Sequence, residues 1–568
     1  MTAWALDLGT TNTALSRWDR QAGKPTMVSL PGISRTPTAS AGALDLPQVI
    51  PSAIQVRTEL DVWSRIGQWP IIQSVALLGS LAHIGQDALD RNVGVVRPSF
   101  VRSFKSILAR QPLRTVARVD QQTYTARDIT RLYVRELFAS VKRTTGERVR
   151  EITVTAPVAA FESYRAEVAA ALRAAGVRNV KFADEPVAAA AGYGLSLRHE
   201  RIVLVLDFGG GTLNLALVRM SARGMQQGTC EVLAKAGVPI GGNLVDEWVL
   251  THCCQQLGFD LEHAEQSDDH RFWRQMMLME ASRLKESLFL RDSDTFLLTP
   301  PEDMRLFEAR LRGEAGSLDL TRSDLTALLQ TNGLYSALDQ CIADVERQMN
   351  ARGLADSDIG DVLMVGGSTL LPEIYTRIES RFGRARVRAF QPFEAVAYGA
   401  CVLASGGMST SDFIVHDYAL QAHDLATGKP RYEVIIPRGT RFPSSTDLWK
   451  RQVVPTCALG VPETVFKLVI AELGQNSGGD RRFVWDEQGG LHRLGGAEPS
   501  GTVEPVVVPL NAANPSLGTL DPPHQPGDRS ARLELAFGVN AERWLVATVR
   551  DLKTGSTLLN AHPVVQLL

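Results

Sequence analysis

What this sequence has little of narrows it before any motif does. Cysteine is sparse, with six in 568 residues (Cys230, Cys253, Cys254, Cys341, Cys401 and Cys457) and no Cys-x-x-Cys spacing. That scatter argues against a disulfide framework or a zinc site and fits a reducing cytoplasm. Net charge is almost absent, since 60 Lys+Arg against 62 Asp+Glu leave a formal −2. With no basic run or aromatic-basic stripe, nucleic acid is not an expected partner. Long apolar runs are missing too. The longest, around Trp69 to Ala82, is broken by Gln73 and falls short of the ~20 residues that span a bilayer, so no membrane partner is expected. The opening stretch MTAWALDLGTTNTAL carries Asp7 and no basic segment ahead of an apolar one, which is not the pattern of a secretory signal.

What is present is a long soluble chain with room for several units of roughly 100–200 residues. From 1 to 405, short apolar strands such as IVLVL (202–206) and DVLMV (361–365) alternate with amphipathic helical stretches such as 128–147 and 161–175, an α/β pattern. Around 405–412 the chain reads SGGMSTSD, small residues that predict an exposed connection, and 406–418 is assigned as linker. From 419 to 568, segments such as YEVIIP (432–437), TVFKLVIAEL (464–473), RLELAFGV (532–539) and RWLVATVRDL (543–552) alternate with period two and predict a mostly antiparallel β-rich domain. Residues 474–530, rich in Gly, Pro, Asp and Asn, read as long loops.

One pattern occurs twice, as ALDLGTTNTAL at 5–15 and VLDFGGGTLNLAL at 205–217. Each has an apolar strand ending in Asp, a Gly/Thr turn and a second strand, which describes a hairpin whose tip exposes backbone N–H groups. Such a tip holds phosphate oxygens: glycine admits close approach of the backbone, threonine hydroxyls add donors, and Asp7 and Asp207 orient waters around a bridging Mg²⁺. One copy alone reads equally well as an ordinary tight turn; two facing copies make a clamp. Two further glycine pairs offer flat backbone surfaces. Gly366 and Gly367, with Ser368, end the strand in VLMVGGSTLLPEI, and Gly241 and Gly242 precede a helix containing Asp246 and Trp248.

The order of these segments resembles the nucleotide-binding domain of the heat-shock 70 kDa chaperones. The likeness covers 1–405 and includes VIPSAI (49–54), ITVTAPVAAF (152–161), ADEPVAAAAGYGL (183–195), both hairpins, GGSTLLP (366–372) and PFEAVAYGACVLA (392–404). It implies an actin-like, ribonuclease-H-like duplicated, two-lobed ATPase domain that uses ATP/ADP and Mg²⁺. By the same resemblance Gly9, Thr10, Thr11, Asn12 and Gly209, Gly210, Gly211, Thr212 grip the phosphates. Gly241, Gly242, Lys285, Gly366, Gly367 and Ser368 then complete the nucleotide site, with Asp7 and Asp207 at the metal. Glu185 matches the family's catalytic carboxylate, joined in the reaction by Asp7, Asp207 and Thr212. Its residue type also suits a helix N-terminus, where the dipole favours an acid. Lys285 reads equally as an exposed helix lysine.

The chain departs from that family in several places. In IGQDALDRN (84–92), Leu89 falls near the position of a lysine that reaches the γ-phosphate, so a cation is expected to be missing and hydrolysis slowed more than binding. Asn214 stands where the family has an aspartate, and Leu370 where an arginine packs on the adenine. Segments 432–443 and 537–559 resemble the family's substrate-binding β-sandwich, which implies capture of an extended or unfolded polypeptide on a sheet edge. The chain ends where the family's helical lid would begin, so weak and fast binding is expected. FIVHDYAL (413–420) lacks a leucine-rich linker run, and Arg165 matches a position used in interdomain communication or is a solvated helix arginine. The resemblance further implies a J-domain co-chaperone and a nucleotide exchange factor. The leading expectation is an ATP-dependent chaperone-like protein. A pseudo-ATPase scaffold that recruits one dedicated partner is the alternative, and a filament former or sugar kinase on the same fold is the third reading.

Overall fold

The computed structural model describes residues 3–35, 49–57, 80–92, 97–158, 162–194, 197, 199–221, 228–259, 261, 268–298, 316–389, 394–406, 408–414, 416–423, 430–457, 460–474, 484–485, 491–492, 506–511, 515–540 and 543–567. Most of the apolar run near Trp69 and much of 474–530 lie outside them. The chain divides into two compact units, Met1–Ala160 with Glu167–Thr410, and Phe161–Ala166 with Ser411–Leu568.

The first unit is built twice. In one sheet the strands run in the order Asn179–Asp184, Glu151–Ala156, Trp4–Leu8, Asn12–Asp19, Lys24–Met27. The first three are parallel and the last two turn back antiparallel. In the other sheet Val387–Ala389, Ile359–Val365, Arg201–Phe208, Leu213–Ser221 and Gly228–Val238 repeat that order and those directions. The central strands read ALDL and VLVLDF because they are buried on both faces, as expected for strands covered by helices.

Each half also supplies a helix of small residues, Glu185–Gly194 and Ala395–Ala404. Both are buried along most of their length, and they cross where Gly192 meets Gly399. A Cβ at Gly399 would lie 1.6 Å from the carbonyl oxygen of Ala188, so only glycine lets the backbones approach this closely. Elsewhere helix ends follow local signals. Ala126–Thr145 starts at a reciprocal cap between Thr125 and Asp128 and ends at Gly146 in the left-handed region.

The second unit is β-rich, as the period-two segments predict. Two four-stranded antiparallel sheets share one apolar core that includes Tyr418, Ile435, Phe466, Leu533, Phe537 and Val549. Three expectations need correction. The stretch read as one segment at 464–473 is two strands, Glu463–Leu468 and Ile470–Gly474, which pair with different partners, Ser516–His524 and Asp417–His423. The small-residue stretch read as an exposed connection contains a strand, Met408–Phe413, paired with Arg441–Phe442. Its Asp412 is buried and 2.9 Å from the Arg543 guanidinium, so distant pairing partners override the local composition. Strands Val506–Pro509 and Ser516–His524 likewise replace part of the predicted loops. Among the described residues no helix is long and apolar enough to cross a membrane.

The helix crossing makes a direct prediction. Gly399→Ala should destabilise the first unit by about 1–3 kcal/mol through overpacking, seen as an earlier urea midpoint. An unchanged midpoint contradicts the close approach.

Candidate nucleotide site

The two hairpins, Trp4–Leu8 with Asn12–Asp19 and Arg201–Phe208 with Leu213–Ser221, have the same register. Asp7 pairs with Ala14, and Asp207 with Asn214. Their tips face each other across the cleft. A Cβ on Gly210 would sit 2.4 Å from Thr11 Oγ1, and one on Gly211 2.6 Å from Thr10 Oγ1. Glycine in one tip therefore makes room for threonine in the other, leaving hydroxyls and backbone N–H groups as the lining.

Each tip is braced from its own half. Ser52 Oγ donates to Gly9 O at 2.7 Å, the Ser52 amide donates to Thr11 O, and Arg35 Nε donates to Asn12 Oδ1 at 3.2 Å. Across the cleft, Ser368 Oγ donates to Gly209 O at 2.8 Å, while the amides of Gly242 and Asn243 donate to Gly209 O and Gly210 O. Gly366 has φ +87° and backs onto the Phe208 carbonyl, where a Cβ would stand 2.3 Å away. Gly367 and Ser368 open the short turn that follows. Gly241 and Gly242 sit at the head of the helix Gly242–Gln256. The structure thus brings together both hairpin tips and both glycine pairs.

Beneath the tips, Asp7 accepts from Thr155 Oγ1 at 2.7 Å, and Glu185 heads its helix. Asn214 Nδ2 donates to Glu185 Oε2 at 3.3 Å and to Thr212 Oγ1 at 3.0 Å. Burial pushes all three carboxyls upward. Asp207 stands well above the usual range, raised further by Glu185 and Asp7 and opposed by Lys105. Burial raises Glu185 against the pull of Lys105, and burial raises Asp7 against Lys105 and Thr155.

The expected absence of a cation is corrected here. Lys105, buried on the helix Phe104–Arg110, lies 2.6 Å from Glu185 Oε1. Leu89 instead packs against a small apolar cluster of Ala53, Ala88 and Phe100. Nothing local in RSFKSIL marks this lysine, because its partner is 80 residues away. Lys285 is not an exposed helix lysine either. It is buried, 2.7 Å from Asp246 Oδ1, and donates to Gly242 O. Arg165 is buried rather than solvated, and Leu370 is exposed.

The donor set suits a hard divalent cation and a polyphosphate. Asp7 and Asp207 supply oxygen donors whose burial is costly without a positive partner, and Mg²⁺ keeps several waters between such carboxylates and bound phosphates. A bound metal would shield phosphate charge there, the tips would supply backbone and hydroxyl donors, and Glu185 would be the carboxylate available to orient a water.

Comparison with known proteins accords with this geometry. The sequence model of the family described as Hsp70 protein matches residues 83–461. A chaperone protein HscA homolog from Shewanella amazonensis is 27% identical over 448 residues, covering 78% of this chain and 64% of that protein. The homolog from Shewanella denitrificans is 28% identical over 314 residues, covering 55% and 46%. Chaperone protein HscA of Salmonella newport is 30% identical over 297 residues, covering 51% and 43%. The matched stretches therefore span less than two thirds of each of these relatives.

The raised carboxyls make a pH prediction. A carboxyl whose folded pKa exceeds its unfolded value is neutral in both states at low pH, and its ionisation costs stability as pH rises through that window. In EDTA without nucleotide, Asp207→Asn should be more stable to urea than the parent at neutral pH, with the gap closing as pH falls toward about 4. A gap constant with pH contradicts burial of the charge as its cause.

Proposed function

The chain belongs to the Hsp70 family, and on that premise we propose that it is a chaperone-like ATPase. In this reading it binds MgATP between the two hairpin tips, hydrolyses it slowly, and couples nucleotide state to polypeptide binding by the β-rich unit. The observation that carries the reading is the glycine-against-threonine fit of Gly210 and Gly211 with Thr11 and Thr10. That fit sets glycine backbone against threonine hydroxyls directly above three buried carboxyls.

Each residue has a definable task. Thr10, Thr11, Asn12 and Gly209 to Thr212 hold phosphate oxygens through backbone and hydroxyl donors. Lys285 and Asp246 brace Gly242 beneath the nucleoside side of the cleft. Lys105 keeps Glu185 oriented and adds positive charge close to where negative charge develops. Asp7 and Asp207 hold the waters of the metal. The β-rich unit takes an extended client along a sheet edge, and a J-domain co-chaperone and an exchange factor are the expected partners of such a cycle.

A scaffold that holds nucleotide without turnover is the second reading. It retains Asn214 in place of a carboxylate and the exposed Leu370, but loses the argument from a missing cation because Lys105 stands beside Glu185.

Calorimetry with ATP and ADP in Mg²⁺, followed by single-turnover hydrolysis, separates the readings. Glu185→Gln and Lys105→Met should each slow hydrolysis about 10²-fold while binding stays near the parent's. Gly210→Val should abolish binding by filling the cleft. Tight binding with no turnover in the parent favours the scaffold, and no binding overturns both.

A further inference from the structure

One ion pair of the first unit, among the described residues, is almost fully buried and plays no part in the reaction as described so far. Lys235 Nζ lies 2.5 Å from Asp184 Oδ2, and the two side chains are 1% and 0% exposed. The pair joins the two halves of the unit. Lys235 lies in Gly228–Val238, the strand next to Leu213–Ser221 in one sheet, and Asp184 ends Asn179–Asp184, an outer strand of the other. The next residue after Asp184 is Glu185.

Both ends of the pair are held. The Lys235 backbone is bracketed by one side chain: its amide donates to Gln348 Oε1 at 3.2 Å, and its carbonyl accepts from Gln348 Nε2 at 2.7 Å. Gln348 belongs to the helix Leu334–Asn350, so Lys235 is locked to the scaffold of its own half. Asp184 is locked to the other half through the parallel ladder that pairs it with Ala156.

Stability alone gives a poor reason for this pair. Desolvating two charges offsets most of their attraction, and apolar replacements of similar shape are often as stable or more so. A pair kept at the residue before Glu185 does something that two apolar side chains would not. It fixes, with charge and direction, the end of the strand from which Glu185 projects.

We propose that Lys235, acting through Asp184, is a positioning residue that ties the second half of the cleft to Glu185 and holds its carboxylate against Lys105. Movement of one half against the other is then transmitted directly to Glu185, because the helix starts at the residue after Asp184. Asp184 is also among the charges that raise Glu185, which places it close enough for the coupling to be felt. The inference rests on the reading of the cleft as an ATP-hydrolysing site.

The test uses the full chain and the paired substitution Lys235→Met with Asp184→Asn, which removes both charges without stranding either. Lys235→Met alone is measured beside it. The paired variant should melt near the parent and bind ATP within about twofold, while its single-turnover rate falls about tenfold or more. Its crystal structure without nucleotide should show the Glu185 carboxylate moved out of hydrogen-bond reach of Lys105. A parental rate in the folded paired variant overturns the proposal. So does an unmoved Glu185, a loss of ATP affinity equal to the loss of rate, or failure of the paired variant to fold, which would assign the pair to stability. If the parent does not hydrolyse ATP, the functional reading has failed, and the position of Glu185 in the crystal alone decides this inference.

Discussion

Negative charge in a buried cleft is the constraint on which the rest of this molecule depends. Asp7, Glu185 and Asp207 converge beneath the hairpin tips, and burial drives each toward its neutral form. Lys105 compensates Glu185 at 2.6 Å, and Thr155 gives Asp7 a hydrogen bond. Three carboxyls buried this close to one another carry an electrostatic cost, which Lys105 and Thr155 offset only in part; on the reading proposed above, a bound cation with its phosphates would offset the rest.

The duplicated sheets place those groups. Identical strand order and register put Asp7 and Asp207 at equivalent points, one per half, so the carboxylates meet on the axis between the halves. The duplication is not exact in its chemistry. Ala14 in one hairpin corresponds to Asn214 in the other, and only Asn214 reaches Glu185. One half supplies Lys105 and Glu185 while the other supplies the glycine-rich tip and Lys285. Symmetry builds the cleft, and its breaking makes the two sides chemically different.

Much of this was readable from residue order because hairpins are local objects. A strand, an Asp, a Gly/Thr turn and a returning strand fit within a dozen residues, so both tips, their aspartates and their glycines could be named in advance. The small-residue helix after Glu185 was legible for the same reason. Lys105 was not, because its partner is 80 residues away and nothing beside it in RSFKSIL differs from a surface helix start. The family pattern drew attention to Leu89, one short helix too early. Lys235 was invisible for a related reason, since in a buried strand its position is indistinguishable from a core residue until the opposite sheet is seen. The strand Met408–Phe413 was mistaken for a connection because its end, Asp412 and Phe413, is paired by Phe442 and Arg441, well beyond any local window.

The central claim is that the facing hairpin tips form a phosphate site. A crystal structure of the full chain with Mg²⁺ and a non-hydrolysable ATP analogue tests it most directly. The account predicts the terminal phosphates between Thr10 and Thr11 on one side and Gly210 and Gly211 on the other, with the metal waters facing Asp7 and Asp207. Phosphates elsewhere in the fold, or an analogue that leaves the tips empty at saturation, would contradict it.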